Sequence, residues 1–87
     1  MTVNKIKTIK ELLERYAAGE RDFTEIQLPD MNIGSIDLSG ANLSRANFRG
    51  SLLCRANLRG VNMMESVLEG ANFEGANLDG AFYEGDF

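Results

Sequence analysis

The sequence predicts a mainly β chain, a narrow solenoid of five-residue blocks closed at one end by an amphipathic helix. Three observations carry that prediction. Apolar residues return at every fifth position from Phe23 to Tyr83; the segment before them repeats its apolar residues at helical spacing; and opposite charges recur at a fixed distance along the repeat. Five is the period of neither a helix nor a strand, so it is the period of a larger unit, and a strict internal repeat outranks local propensity.

The helix comes first. From Lys5 to Ala18 the apolar residues fall at Ile6, Ile9, Leu12, Leu13, Tyr16 and Ala17, one stripe of an amphipathic helix. Lys5, Lys7, Lys10, Glu11, Glu14 and Arg15 fall mostly on the other side. Thr2 or Asn4 is placed to cap the start, and Gly19 to end it as a left-handed C′ residue. A lone helix of about four turns is marginal in water, so its stripe must cover something. Residues 1–20 are therefore read as a capping helix and residues 21–87 as the repeat, forming one folding unit.

Read from Arg21, the repeat runs RDFTE, IQLPD, MNIGS, IDLSG, ANLSR, ANFRG, SLLCR, ANLRG, VNMME, SVLEG, ANFEG, ANLDG, AFYEG, then Asp86 and Phe87. The third place of every block is apolar: Phe23, Leu28, Ile33, Leu38, Leu43, Phe48, Leu53, Leu58, Met63, Leu68, Phe73, Leu78 and Tyr83. These residues are the predicted core. The first place is small or aliphatic except at Arg21, the second is mostly Asn or Asp, and the fifth is often Gly. Places one and three lie two residues apart, so in an extended chain they point to the same side. Asn at place two and Gly at place five can take turn and left-handed angles. Each block is thus a short extended side followed by a corner, and the blocks wind a column filled with alternating small and large side chains.

Charge spacing bears on the number of sides. Outward residues one turn apart become neighbours about 4.8 Å along the axis, where opposite charges pair and like charges repel. A spacing of 20 gives Glu25–Arg45, Arg45–Glu65, Arg49–Glu69 and Arg59–Asp79 with no like pair. A spacing of 15 gives two opposite and two like pairs, and a spacing of 25 gives three opposite and no like ones. Three sides are disfavoured, and four lead five narrowly.

ANLSR, ANFRG, ANLRG, ANFEG and ANLDG resemble the motif of the pentapeptide-repeat family: a small residue, Asn or Asp, Leu or Phe, a variable polar residue, and often Gly. The resemblance covers about three-quarters of the chain, and it implies a right-handed quadrilateral β-helix over Arg21–Gly85. ELLERYAAGERDF also resembles the helical lead-in of small bacterial members. Leu52, Val67 and Phe82 depart from the motif where Asn belongs, as do Met31 and Ile36 where Ala is usual. The large first-place residues Ile26, Met31 and Ile36 suit a wider first coil, where the helix is expected to dock.

Composition narrows the function. The 87 residues hold 44% hydrophobic and 25% charged residues, a globular balance, with a net charge of −4 that disfavours a nucleic-acid binder. The single cysteine, Cys54, cannot form an internal disulfide. The first residues lack the unbroken apolar run of a signal peptide or membrane span, so a cytoplasmic protein is expected. With no histidine, Ser-His-Asp and Cys-His catalysis is excluded. No catalytic, metal or cofactor site is predicted.

What remains is surface. Read with four sides, the charges form belts: Asp22, Glu25, Asp30 and Asp37; then Arg45, Arg49, Arg55 and Arg59; then Glu65, Glu69, Glu74 and Asp79. The arginines girdle the column rather than cluster, so a register-setting ladder is favoured over a nucleic-acid patch. The family resemblance adds an alternative, since some members bind DNA gyrase by presenting a DNA-like acidic surface, and residues 61–87 carry no basic residue. Phe82, Tyr83 and Phe87 at the uncapped end are candidate partner contacts. The expected function is a noncatalytic structural or protein-interaction module, monomeric or weakly dimeric through that end.

Overall fold

Each block builds one side and one corner in the computed structural model, which describes residues 5–84. Nine parallel bridges join place-two residues to the place-two residue twenty positions on, from Asp22–Asn42 to Asn62–Phe82. Twenty residues are four blocks, so the coil has four sides, and the five-sided alternative falls. Coil one is residues 21–40, coil two 41–60 and coil three 61–80, with residues 81–84 opening a fourth. Among the described residues these contacts stay single bridges and do not lengthen into strands or a sheet. The mainly β reading is corrected to that extent: two of every five residues turn a corner, which leaves too little extended chain for a strand.

Three hydrogen bonds per side hold one coil to the next. Leu43 N–H donates to Asn62 O at 2.8 Å, Arg45 N–H to Met64 O at 2.9 Å, and Asn62 N–H returns to Ala41 O at 3.1 Å. At every corner but the one at Pro29 the first-place N–H of the next block donates to the third-place carbonyl, as Ala41 N–H does to Leu38 O at 3.0 Å. Places four and five are then the centre of a β-turn, and place five must be left-handed, as in type II turns. All twelve place-five residues from Glu25 to Gly80 have φ between 57° and 74°, six glycines and Glu25, Asp30, Ser35, Arg45, Arg55 and Glu65.

Place two does something other than supply a left-handed angle. Its residue is extended, and the Asn or Asp oxygen accepts the N–H two residues on, as Asn47 Oδ1 does from Arg49 at 3.0 Å and Asn77 Oδ1 from Asp79 at 2.9 Å. The preference for Asn and Asp is thus a side-chain clasp over the corner. In the block Ile26–Asp30 Gln27 stands where Pro29 has no N–H to offer, while Leu52, Val67 and Phe82 simply lack the clasp.

Inside the column, third-place residues Phe23 to Met63 are buried, with Ile26, Ile36, Ala41, Ala46, Ala56 and Val61 between them. Leu68, Phe73 and Leu78 are only partly buried, and Tyr83 is 39% exposed, so the expected core thins in coil three. The reason is positional: among the described residues only 81–84 lie beneath them. Ser51, buried at a first place, donates to Leu28 O at 2.6 Å and accepts Met31 N–H at 3.0 Å, bridging a corner at Pro29.

Helix α1 (Ile9–Ala17) covers the other end of the column. It begins later than the apolar stripe suggested: Thr8 is its N-cap, accepting Glu11 N–H at 3.1 Å. The proposed caps Thr2 and Asn4 lie outside the described residues. At its C-terminus Gly19 has φ 100°, Gly19 N–H donates to Tyr16 O and Glu20 N–H to Arg15 O, a complete Schellman motif. Leu12 and Ile6 are buried, the latter in the lead-in before the helix, whereas Leu13 is exposed despite its place on the predicted stripe. Tyr16 ties the helix to coil one, its hydroxyl donating to Ser39 O at 2.6 Å.

Candidate functional site

The filled column leaves the charged side chains of the coils and the Cys54 thiol on its outside, so candidate sites are its walls and its ends. On the walls, spacing by twenty brings three of the four expected pairs together: Arg45 lies 3.8 Å from Glu25 and 3.9 Å from Glu65, and Arg49 lies 3.7 Å from Glu69. Arg59–Asp79 shares the arrangement without closing to an ion pair. All these groups are substantially exposed, so each pair contributes about 0–1 kcal/mol and serves register more than stability. In coil one, the hydroxyl and backbone N–H of Thr24 hold the Asp22 carboxyl below its ordinary value. The Ser39 backbone N–H does the same for Asp37, helped by the Ser39 hydroxyl and the charge of Arg21.

The C-terminal face is chemically distinct from the walls. In each completed junction the upper coil offers two N–H donors per side, from places three and five, and one first-place carbonyl. Coil three offers the same set downward. Met63 N–H is met by Phe82 O at 2.7 Å, and Phe82 N–H by Val61 O at 2.8 Å. The next donor, Glu65 N–H, takes a carboxylate in place of a backbone carbonyl, Glu84 Oε1 at 3.1 Å. Beyond it, the N–H groups of Leu68, Gly70, Gly75, Leu78 and Gly80 have no partner among the described residues. Leu68, Ala71 and Phe73 line an open depression there, with Glu69 and Glu74 beside them.

The remaining sequence candidates separate. Phe82 is 63% exposed, Val67 46% and Leu52 43%, but their bridges place them on three different sides, so they form no common patch. Tyr83 belongs to the C-terminal face, and Phe87 lies outside the described residues. Cys54 is a partly exposed free thiol beside Arg55, Glu74 and Gly75. Among the described residues no group of acidic, cysteine or histidine side chains is arranged to hold a metal ion, and no helix is long and apolar enough to cross a membrane. Sequence reasoning missed the Glu84 contact and the inward hydroxyls of Ser51 and Ser66. Ser66 donates to Leu43 O at 2.8 Å. The signal for the serines was present, since each is a polar residue at a first place otherwise filled mostly by apolar ones.

Comparison with known proteins agrees with this architecture. A model of pentapeptide repeats matches in eight copies, over residues 34–70 and 48–82. A search of curated proteins finds no match. Among solved structures, the chain is 31% identical to alr5209, a pentapeptide repeat protein from Nostoc PCC 7120, covering 97% of this chain and 92% of that one with a TM-score of 0.46. It is 32% identical to HetL, a pentapeptide repeat protein involved in heterocyst differentiation regulation from the cyanobacterium Nostoc sp. strain PCC 7120, with a TM-score of 0.53. That match covers 85% of this chain and 33% of HetL, so the chain spans about a third of HetL's length. The HetL match and the family model imply the right-handed form of the β-helix, and pentapeptide repeat proteins are generally structural or interaction modules. With the family model spanning more than half of the chain and the four-sided coil seen directly, the chain belongs to the pentapeptide repeat family.

Proposed function

We propose that this chain is a noncatalytic protein-interaction module. The observation that carries the reading is the filled column: buried side chains from Phe23 to Met63 occupy the axis, so binding chemistry is confined to the outer walls and the exposed end. Substrate pockets are concave and exclude water around a few placed polar groups, an arrangement a solid prism with short clasped corners does not favour. Affinity capture from the native host, with cross-linking and mass spectrometry, tests the proposal. The expected result is a discrete protein partner whose capture does not need nucleic acid; recovery of nucleic acid alone would overturn the reading.

A second reading, mimicry of DNA toward a gyrase-type enzyme, has one observation in its favour: Glu65, Glu69, Glu74, Asp79 and Glu84 face outward with no basic residue between positions 61 and 84. Against it, Arg45 and Arg49 neutralise part of that surface through Glu65 and Glu69. A supercoiling assay separates the two, because a mimic inhibits in proportion to its concentration and an unrelated module has no effect at excess.

A further inference from the structure

We infer that the C-terminal face is a docking surface for an extended, basic segment of a partner protein, which adds to the column as a further layer. The inference rests on the interaction-module reading and names the chemistry of the partner.

Two independent patterns specify the occupant. The first is hydrogen-bond polarity. Each junction runs two N–H groups downward and one upward per side, so the face below coil three is rich in donors and calls for carbonyls. The two places where an end is already covered follow that logic. At the acceptor-rich N-terminal end, Tyr16 brings a hydroxyl donor to Ser39 O. At the C-terminal end, Glu84 brings a carboxylate acceptor to Glu65 N–H. An extended segment supplies carbonyls at the needed repeat, the pairing by which a peptide adds to an open edge. The second pattern is charge. The layers alternate acidic, basic, acidic, joined by Glu25–Arg45, Arg45–Glu65 and Arg49–Glu69. On the first side the chain's own fourth coil brings Glu84, but over the three sides beyond it the series calls for a basic layer facing Glu69, Glu74 and Asp79.

A second copy of this chain does not fit. Two C-terminal faces meeting would set the surplus place-five N–H groups opposite like donors and one acidic rim against another. Head-to-tail stacking is blocked because α1 covers the N-terminal end.

The test uses the whole chain and a fluorescein-labelled synthetic peptide of four Ala-Asn-Leu-Lys-Gly quintets, which presents lysine at each place four. Binding is read by anisotropy and by amide chemical shifts. We expect saturable binding that weakens at least about tenfold between low and about 0.5 M salt. The largest shifts should fall at the amides of Leu68, Gly70, Gly75, Leu78 and Gly80. The double variant Glu69→Lys, Glu74→Lys should lose about tenfold or more in affinity, while Glu14→Lys on α1 should bind as the parent does. No binding of the lysine peptide, equal binding of a glutamate counterpart, shifts confined to the walls, or sedimentation showing copies joined through this face would each overturn the inference. If a partner captured from the host is indifferent to the double variant, the docking face fails while the interaction-module reading stands.

Discussion

Place five constrains the backbone one residue at a time, because the corner demands a left-handed conformation whatever side chain is present. Gly40 has φ 74° with open space around it, so Gly40→Ala should cost about 1–2 kcal/mol, the left-handed penalty alone. Gly50 has φ 71°, and a Cβ there would meet only the end of the exposed Asp30 side chain, which can swing away, so Gly50→Ala should cost about as much as Gly40→Ala. Urea unfolding of both variants checks this, and a much larger loss at Gly50 would show that the Asp30 carboxylate cannot move. Place two gives a pH prediction. The Asp37 carboxyl is held low by the Ser39 N–H, so its ionised form favours the folded state. That contribution is present above the ordinary carboxyl pKa of about 3.9. It is lost as pH falls through the lower folded value. Asp37→Asn keeps the clasp oxygen but not the charge, so its melting temperature should lie slightly below the parent's near pH 7, and the two should converge as pH falls below about pH 4.

Among the elements, α1 and the coils solve different problems. The helix is short, and its stability comes from what it covers: Leu12 and Ile6 buried, the Thr8 cap, the Gly19 terminator and the Tyr16 hydroxyl bond. Tyr16→Phe removes that last bond together with the hydroxyl's contact to Ser39 Oγ at 3.2 Å and leaves Ser39 O short of a donor, which should cost about 1 kcal/mol by denaturation. Tyr16 also carries Arg21 over its ring at 3.6 Å, a stacking that phenylalanine retains, so a much larger loss would point to another role for the hydroxyl. The coils gain instead from repetition. Each side adds three backbone bonds and one inward pair of side chains, so coil two, held on both faces, is the best-supported element.

For the whole molecule, stability should fall along the axis from the helix toward the C-terminal face. Leu38, Leu58 and Leu78 occupy the same side in successive coils, but Leu58 is fully buried and Leu78 only partly. Leu58→Ala should cost about 2–5 kcal/mol, a large share of the roughly 5–15 kcal/mol that holds a domain folded. Leu58→Asp should abolish the cooperative melt. Leu78→Ala should cost distinctly less than Leu58→Ala, and a reversed order by chemical denaturation would contradict the picture of a column open at one end. Amide exchange should show the same gradient, slowest in coil two and fastest at the Leu68–Gly80 donors.

The sequence by itself determined the repeat, its frame and its inside: a residue that recurs at every third place of a quintet can only be explained by a side facing one common core. It determined the capping role of the first segment, because an amphipathic stripe next to a column must cover the column's end. It left four and five sides close, since charge pairs at 20 and 25 differ by one, and only the bridges between residues such as Asn42 and Asn62 decided it. Tertiary structure also decided what Asn does at place two, where the helix starts, and how the C-terminal face is polarised. Each depends on which backbone groups meet across coils, and a linear pattern records side-chain types but not the direction in which an N–H points.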